Sequence, residues 1–144
     1  MTAPLYNTEI LRLAASIPHH ARLPRPHASS EKRSPVCGSR VTVDVTLDGT
    51  GRVEEVGLLV RACALGQASA ALLGQAILGR TPAELAAARD ALGRWLAGEG
   101  DLPNWPGLDL LAPARDYPAR HPSIRLAFEA AAEAAAAAAQ AKAA

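Results

Sequence analysis

Apolar and polar residues alternate along residues 41–48, where every second position is valine or leucine and the positions between carry threonine or aspartate. This period of two is typical of a strand with one buried face. Residues 48–51 read Asp-Gly-Thr-Gly, which favours a tight turn. A second apolar run then returns from Val53 to Val60. The pattern predicts an antiparallel β-hairpin.

Four other segments carry apolar residues at helical spacing. Residues 7–17 have a capping Asn7 or Thr8 before an apolar stripe, and residues 64–78 are rich in small residues. Thr81-Pro82-Ala83-Glu84 is a capping box with proline at the first helical position, which predicts a helix to about Ala97. A last helix is predicted from about Pro122 onward.

These elements predict an α+β fold, in which a small antiparallel sheet of about three strands is packed on one side by helices. Residues 18–35 contain four prolines and are predicted to be irregular, with a short strand before Cys37. Residues 130–144 are nearly all alanine, which favours helix but buries little surface. We expect one domain over residues 1–129 and a helical tail over 130–144, with its last dozen residues frayed. The outer face of the sheet is expected to be solvated by Asp44, Asp48, Glu54 and Glu55.

Charge and cysteine usage limit the partners and the compartment. The 144 residues carry 15 Lys and Arg against 14 Asp and Glu, so no overall field attracts nucleic acid or a membrane surface. Residues 1–40, with six basic and two acidic side chains, form either a solvated arm or a docking surface for an acidic partner. The chain shows no secretory leader pattern and no uninterrupted membrane-length apolar run. We therefore expect a cytoplasmic protein with two free thiols, a disulfide between them being the alternative.

The two cysteines lie at positions that suggest chemistry. Cys37 sits in SPVCGSRV, a turn leading into the first hairpin strand, and Cys63 sits where the second strand ends and a helix begins. Unpaired N–H groups at a helix amino end favour the thiolate, the form that binds soft metals or attacks sulfur. The hairpin register places residues 38–39 opposite 60–62. Both thiols are therefore predicted at the same end of the sheet.

Two thiolates do not complete a metal site, because zinc takes four ligands and iron–sulfur clusters take three or four from protein. The segment before the last helix offers His121 and Ser123. Imidazole is the better ligand for a soft metal, so His121 is the candidate third ligand, a structural role being the alternative. Ser39 would share the face of Cys37 in an extended chain. The chain has no G-x-S-x-G or phosphate-binding Gly-rich motif, and we expect no enzyme.

Three segments resemble the iron–sulfur cluster assembly scaffold family, the NifU amino-terminal or IscU/SufU-like domain. SPVCGSRVTVDVTLD resembles the family's N-P-x-C-G-D and its following strand. RACALGQASAALLGQAILGRTPAE resembles its G-C-x-x-x-x-A-S-A-S segment, and DYPARHPSIRLAFEAA resembles its third motif, F-P-A-R-x-x-C. The family surrounds its metal with three cysteines and an aspartate. In this chain Cys37 and Cys63 match two cysteines, Ser39 stands at the aspartate, and Ser123 stands at the third cysteine.

The resemblance implies a scaffold or carrier that binds a labile 2Fe-2S cluster, iron or zinc through Cys37 and Cys63. His121, Ser39 and Ser123 are the further candidate ligands. It also implies a cysteine desulfurase and iron–sulfur acceptor proteins as partners. Two alternatives stay open because two ionisable ligands are replaced by hydroxyls. The chain is then either a binding or regulatory protein without cluster assembly, or a sulfur-relay protein in which Cys63 accepts a persulfide.

Overall fold

Three strands and four α-helices follow one another in the computed structural model, which describes residues 5–35 and 38–143, with side chains to residue 141. Cys37 lies outside the described residues. In chain order the elements are α1 Thr8–Ala14, β1 Ala28–Arg33, β2 Arg40–Leu47, β3 Val53–Arg61, α2 Ala64–Ala76, α3 Pro82–Leu96, 3₁₀ turns Leu108–Asp116 and Pro118–Arg120, and α4 His121–Ala143. The predicted caps are confirmed, since the Asn7 side chain caps α1 and Thr81 with Glu84 forms the capping box of α3.

The three strands form one antiparallel sheet in the order β1-β2-β3, which confirms the predicted fold class. The hairpin is in register from Arg40 opposite Arg61 to Thr46 opposite Glu55, with an irregularity before Leu47. The Arg40–Arg61 pair therefore marks the end of the sheet where Ser39 precedes β2 and Cys63 follows β3. Sheet topology brings these two residues to the same end.

The valine face of β2 packs against the helical layer, and α4 lies at the centre of that layer in contact with β1, β2, α2 and α3. The expectation that the last dozen residues lie outside the core is wrong for Ala134, Ala135 and Ala138, which are buried. A methyl side chain adds little area, but it lets a helix approach its neighbours closely, so an alanine stripe can form the centre of a core. The domain boundary at residue 129 stays a prediction.

The outer face of β2 is covered rather than solvated, so the expected exposure of Asp44 is wrong. Asp44 is fully buried beneath residues 21–29, which supply its donors. Arg22 Nε donates to Asp44 Oδ2 at 2.7 Å, Leu23 N–H donates at 2.9 Å, and the Ser29 hydroxyl donates to Oδ1. We call these four residues the Asp44 cluster. Part of the predicted solvated arm is therefore a structural cover, whereas Glu54 and Glu55 are exposed as expected.

Within the residues that the structure describes, no helix combines the length and the apolar character needed to cross a membrane.

Candidate functional site

Two backbone hydrogen bonds between the end of β1 and the start of β2 position Ser39. Ser34 N–H donates to the Ser39 carbonyl at 2.8 Å, and Gly38 N–H donates to the Ser34 carbonyl at 3.2 Å. Gly38 has φ of 72°, a left-handed conformation that side chains other than hydrogen rarely adopt. The glycine of the cysteine motif is thus required by the turn. Ser39 is 4% exposed, at the point where β2 begins.

Cys63 is the N-cap residue of α2, with φ of −66° and ψ of 170°. Its side chain makes no capping hydrogen bond, and its carbonyl accepts the first helical bond from Gln67 N–H at 2.9 Å. The thiol forms no disulfide and is half-buried. The predicted strand-to-helix position is confirmed.

Ser123, in the first turn of α4, connects Cys63 to Ser39. Its Oγ lies 3.3 Å from Cys63 Sγ and 3.2 Å from Ser39 Oγ, and Ser123 is 2% exposed. We call these three residues the thiol cluster. The cluster joins the start of β2, the start of α2 and the start of α4. Positions 84 and 60 residues apart in the chain therefore meet at one point.

His121 makes a different contact. Its Nε2 lies 3.0 Å from the Ala114 carbonyl oxygen, which can only accept, so Nε2 carries the proton in this contact. The ring links the start of α4 to the 3₁₀ turn Leu108–Asp116. A neutral imidazole bound in this way retains its lone pair on Nδ1, the atom through which it would ligate a metal. The role of His121 as a ligand stays a prediction.

The donor atoms of the thiol cluster fit a soft metal only in part. Cys63 supplies one thiol, while Ser39 and Ser123 supply hydroxyls, which are poor ligands for soft metals. Across residues 5–35 and 38–143 the structure groups no three or more His, Cys, Asp and Glu side chains at ligating distance. The role of Cys37 as the second thiol ligand stays a prediction, since this residue lies outside the described part of the chain.

Two residues of α2 position the cluster and were not singled out from the sequence. Ser69 Oγ donates to the Ile124 carbonyl at 2.6 Å, which fixes the first turn of α4 against α2. A Cβ on Gly66 would stand 2.6 Å from Ser123 Oγ and 2.7 Å from the Ala62 Cβ, so glycine is required for the close approach. The small residues of α2 are visible in the sequence, but they predict a helix and do not show which element packs against it.

The chain matches no family model and no curated protein. It does match the solved structure of a nitrogen-fixing NifU-like protein (N-terminal) from Brucella abortus, with 37% identity and a TM-score of 0.88. The match covers 94% of this chain and 95% of that one. The chain belongs to the NifU N-terminal and IscU/SufU-like family. This confirms the resemblance carried by the three motifs.

A second match concerns the fold. It is a candidate iron–sulfur cluster assembly scaffold protein for the SUF system from Fervidobacterium islandicum AW-1, with 22% identity and a TM-score of 0.76. The match covers 91% of this chain and 96% of the other. The α+β arrangement of this family member is therefore shared with a protein of much lower sequence identity.

Proposed function

We propose that this chain is a scaffold or carrier in iron–sulfur cluster assembly and binds a labile 2Fe-2S cluster or iron through Cys37 and Cys63. Zinc is the alternative cargo. The observation that supports the proposal is the meeting of Ser39, Cys63 and Ser123 within 3.2–3.3 Å contacts. By motif, these are the positions of the family's aspartate, second cysteine and third cysteine. A single metal or cluster site requires these ligand positions to lie close together.

Weak retention of the bound metal or iron–sulfur cluster follows from the chemistry of the thiol cluster. At the position of the family's third cysteine, the Ser123 hydroxyl stands in place of a thiolate and is hydrogen-bonded to the Ser39 hydroxyl. Both serines are almost fully buried. Two thiolates fill two of the four ligand positions of a tetrahedral ion or of a 2Fe-2S cluster, and His121 Nδ1 or a ligand from another molecule is the proposed source of the remaining two. We therefore expect a cluster or ion that transfers readily rather than a resident centre.

The proposed partners follow from family membership. They are a cysteine desulfurase, which would supply sulfur, and acceptor proteins, which would receive the cluster. We propose a cytoplasmic protein that does not act as an enzyme and has no nucleic-acid or membrane partner. Both kinds of protein partner would need to reach the sulfur of the half-buried Cys63, which lies at the amino end of α2.

A second candidate function is a sulfur relay, favoured by the contrast between one accessible thiol and two buried hydroxyls. The Cys63 thiolate would attack the outer sulfur of a desulfurase persulfide. A new S–S bond forms at Cys63, the desulfurase S–S bond breaks, and the desulfurase cysteine leaves as thiolate. Oxidation states balance because the sulfane sulfur is transferred without an external electron donor. Ser123 would then contact the persulfurated sulfur.

The deciding experiment measures iron, zinc and acid-labile sulfide in protein purified without air. The parent chain is compared with Cys37→Ser and Cys63→Ser, and Ser16→Ala, at an exposed position after α1, is the control. We expect iron with sulfide in the parent and control, and loss of both in each cysteine variant. Equal metal in the parent and Cys63→Ser contradicts the scaffold proposal. A mass increase of one sulfur on Cys63 after reaction with desulfurase and cysteine, without metal, favours the relay.

A further inference from the structure

A second polar site lies between α3 and α4, in a groove with a cavity volume of about 420 Å³. None of its lining residues belongs to the thiol cluster. Six of them are charged, three of each sign: Arg89, Arg94, Arg125, Asp90, Glu99 and Glu129. The groove therefore has no net formal charge, but it concentrates six ionic groups around one opening.

Arg125 extends from α4 across this groove onto α3. A Cβ on Gly93 would stand 3.8 Å from Arg125 Nη1 and 3.9 Å from Arg125 Cδ, which places the guanidinium over that glycine. Arg125 Nε is buried and has no hydrogen-bond partner among the described residues. Buried polar atoms in native proteins are nearly always paired, so the unsatisfied Nε shows that the hydrogen-bonding capacity of Arg125 is not used up within the described chain.

The charges of the groove are paired only in part among the described residues. Arg89 Nε pairs with Asp90 at 2.9 Å, and the nearby Lys32 pairs with Glu133 at 2.7 Å. In the described part of the chain, no ion pair is formed by Arg94, Arg125, Glu99 or Glu129. Two cations and two anions thus share the groove without a direct ion pair, while Arg94 interacts at longer range with Asp90 and Glu129 with Lys32.

This arrangement selects between classes of ligand. A phosphate-type anion would be repelled by Glu99 and Glu129, and a simple cation would be repelled by the guanidinium groups. A molecule with both charges meets an opposite charge at each end. The planar fork of arginine matches a carboxylate in a bidentate manner, and a carboxylate is the ordinary partner of an ammonium group.

We propose that the α3–α4 groove binds a free α-amino acid, with its carboxylate on Arg125 and its ammonium on Glu129. The cavity volume exceeds what such a molecule needs, so side chains of several sizes can enter. The proposal does not depend on cluster binding, because the groove and the thiol cluster share no residue.

The test titrates the full chain with glycine, L-alanine, acetate and methylammonium. Binding is measured by calorimetry and by the ¹⁵N signal of Arg125 Nε–H. We expect saturable binding of glycine and L-alanine with a Kd on the order of 1 mM, and at least about tenfold weaker binding of acetate and methylammonium. Glycine should shift the Nε–H signal. Acetate binding as tightly as glycine, or no saturation up to about 50 mM glycine, overturns the proposal.

Variants locate the site. Arg125→Gln and Glu129→Gln should each weaken glycine binding by about tenfold or more, because each removes one charge partner. Arg12→Gln, on exposed α1, should leave binding unchanged. Circular dichroism checks that each variant is folded, and Glu129→Gln tests the site independently of the more deeply placed arginine. Equal glycine affinity in the parent and both groove variants overturns the assignment.

Discussion

The molecule has two buried polar groups, the Asp44 cluster on the outer face of the sheet and the thiol cluster at one end of it, and they differ in hydrogen bonding. The Asp44 cluster surrounds a carboxylate with donors from three residues, and its Arg22 Nε bond is 2.7 Å long. The thiol cluster contains two hydroxyls and one thiol, and its Ser39–Ser123 oxygen distance is 3.2 Å. The usual O–H···O distance is about 2.7–2.8 Å. The Asp44 carboxylate is tightly hydrogen-bonded, whereas the two hydroxyls of the thiol cluster are loosely hydrogen-bonded.

The two clusters therefore suit different roles, the Asp44 cluster in stability and the thiol cluster in reactivity. Charge-assisted hydrogen bonds are about twice as strong as neutral ones, so the Asp44 cluster can hold residues 22–29 against the outer face. Weak contacts around Cys63 leave its sulfur available to a metal or to a sulfur donor. We infer that stability depends more on the outer face, whereas the proposed chemistry depends on the loosely bonded end.

The largest expected effect comes from removing the charge of Asp44. Asp44→Asn should lower the free energy of unfolding by about 3 kcal/mol, because an amide cannot accept all the hydrogen bonds of a buried carboxylate. Urea unfolding at pH 7 measures it. Glu54→Gln makes the same change at an exposed position of the sheet and should leave the free energy of unfolding within error. Equal losses in the two variants would show that the outer cover contributes nothing.

Low pH should remove the stability that the ionised Asp44 carboxylate contributes to the folded protein. Burial opposes the charged form of Asp44, but hydrogen bonds from Arg22, Ser29 and Leu23 N–H outweigh it, and its pKa is lowered. A lowered folded pKa contributes stability above the usual carboxyl value near 3.9, and this contribution is lost as pH falls through the folded value. The difference between the parent and Asp44→Asn should be constant above about pH 5 and shrink below about pH 4. A constant difference down to pH 2 contradicts this assignment.

The sequence predicted the hairpin well, because alternation and the 48–51 turn determine which residues pair. The same alternation could not show what covers Asp44, since a period of two identifies a face but not the chain segment that packs on it. The meeting of Ser123 with Cys63 came from the family motifs, because the path of residues 98–120 has no periodic pattern to follow. Alanine burial in α4 was missed because helix propensity says nothing about neighbours.

A smaller effect is expected from filling the space between α2 and α4. Gly66→Ala should cost about 2 kcal/mol, since its Cβ would overlap Ser123 Oγ and the Ala62 Cβ. Displacement of Ser123 should also raise the rate at which a thiol reagent modifies Cys63. Gly93→Ala is the matched helical control, with no atom nearer than 3.8 Å, and should stabilise by about 0.5–1 kcal/mol. If both variants gain stability, the close approach at Gly66 does not constrain the site.

The smallest change in stability, and the sharpest change in chemistry, should come from Ser123. Ser123→Ala should lower the free energy of unfolding by about 1 kcal/mol, because it removes two weak contacts. Ser123→Cys, by contrast, places a third thiol next to Cys63 and should increase the iron or zinc retained after anaerobic purification. If Ser123→Cys holds no more metal than Ser123→Ala, the loosely bonded end of the sheet is not a metal site, and the sulfur relay at Cys63 becomes the better account of this chain.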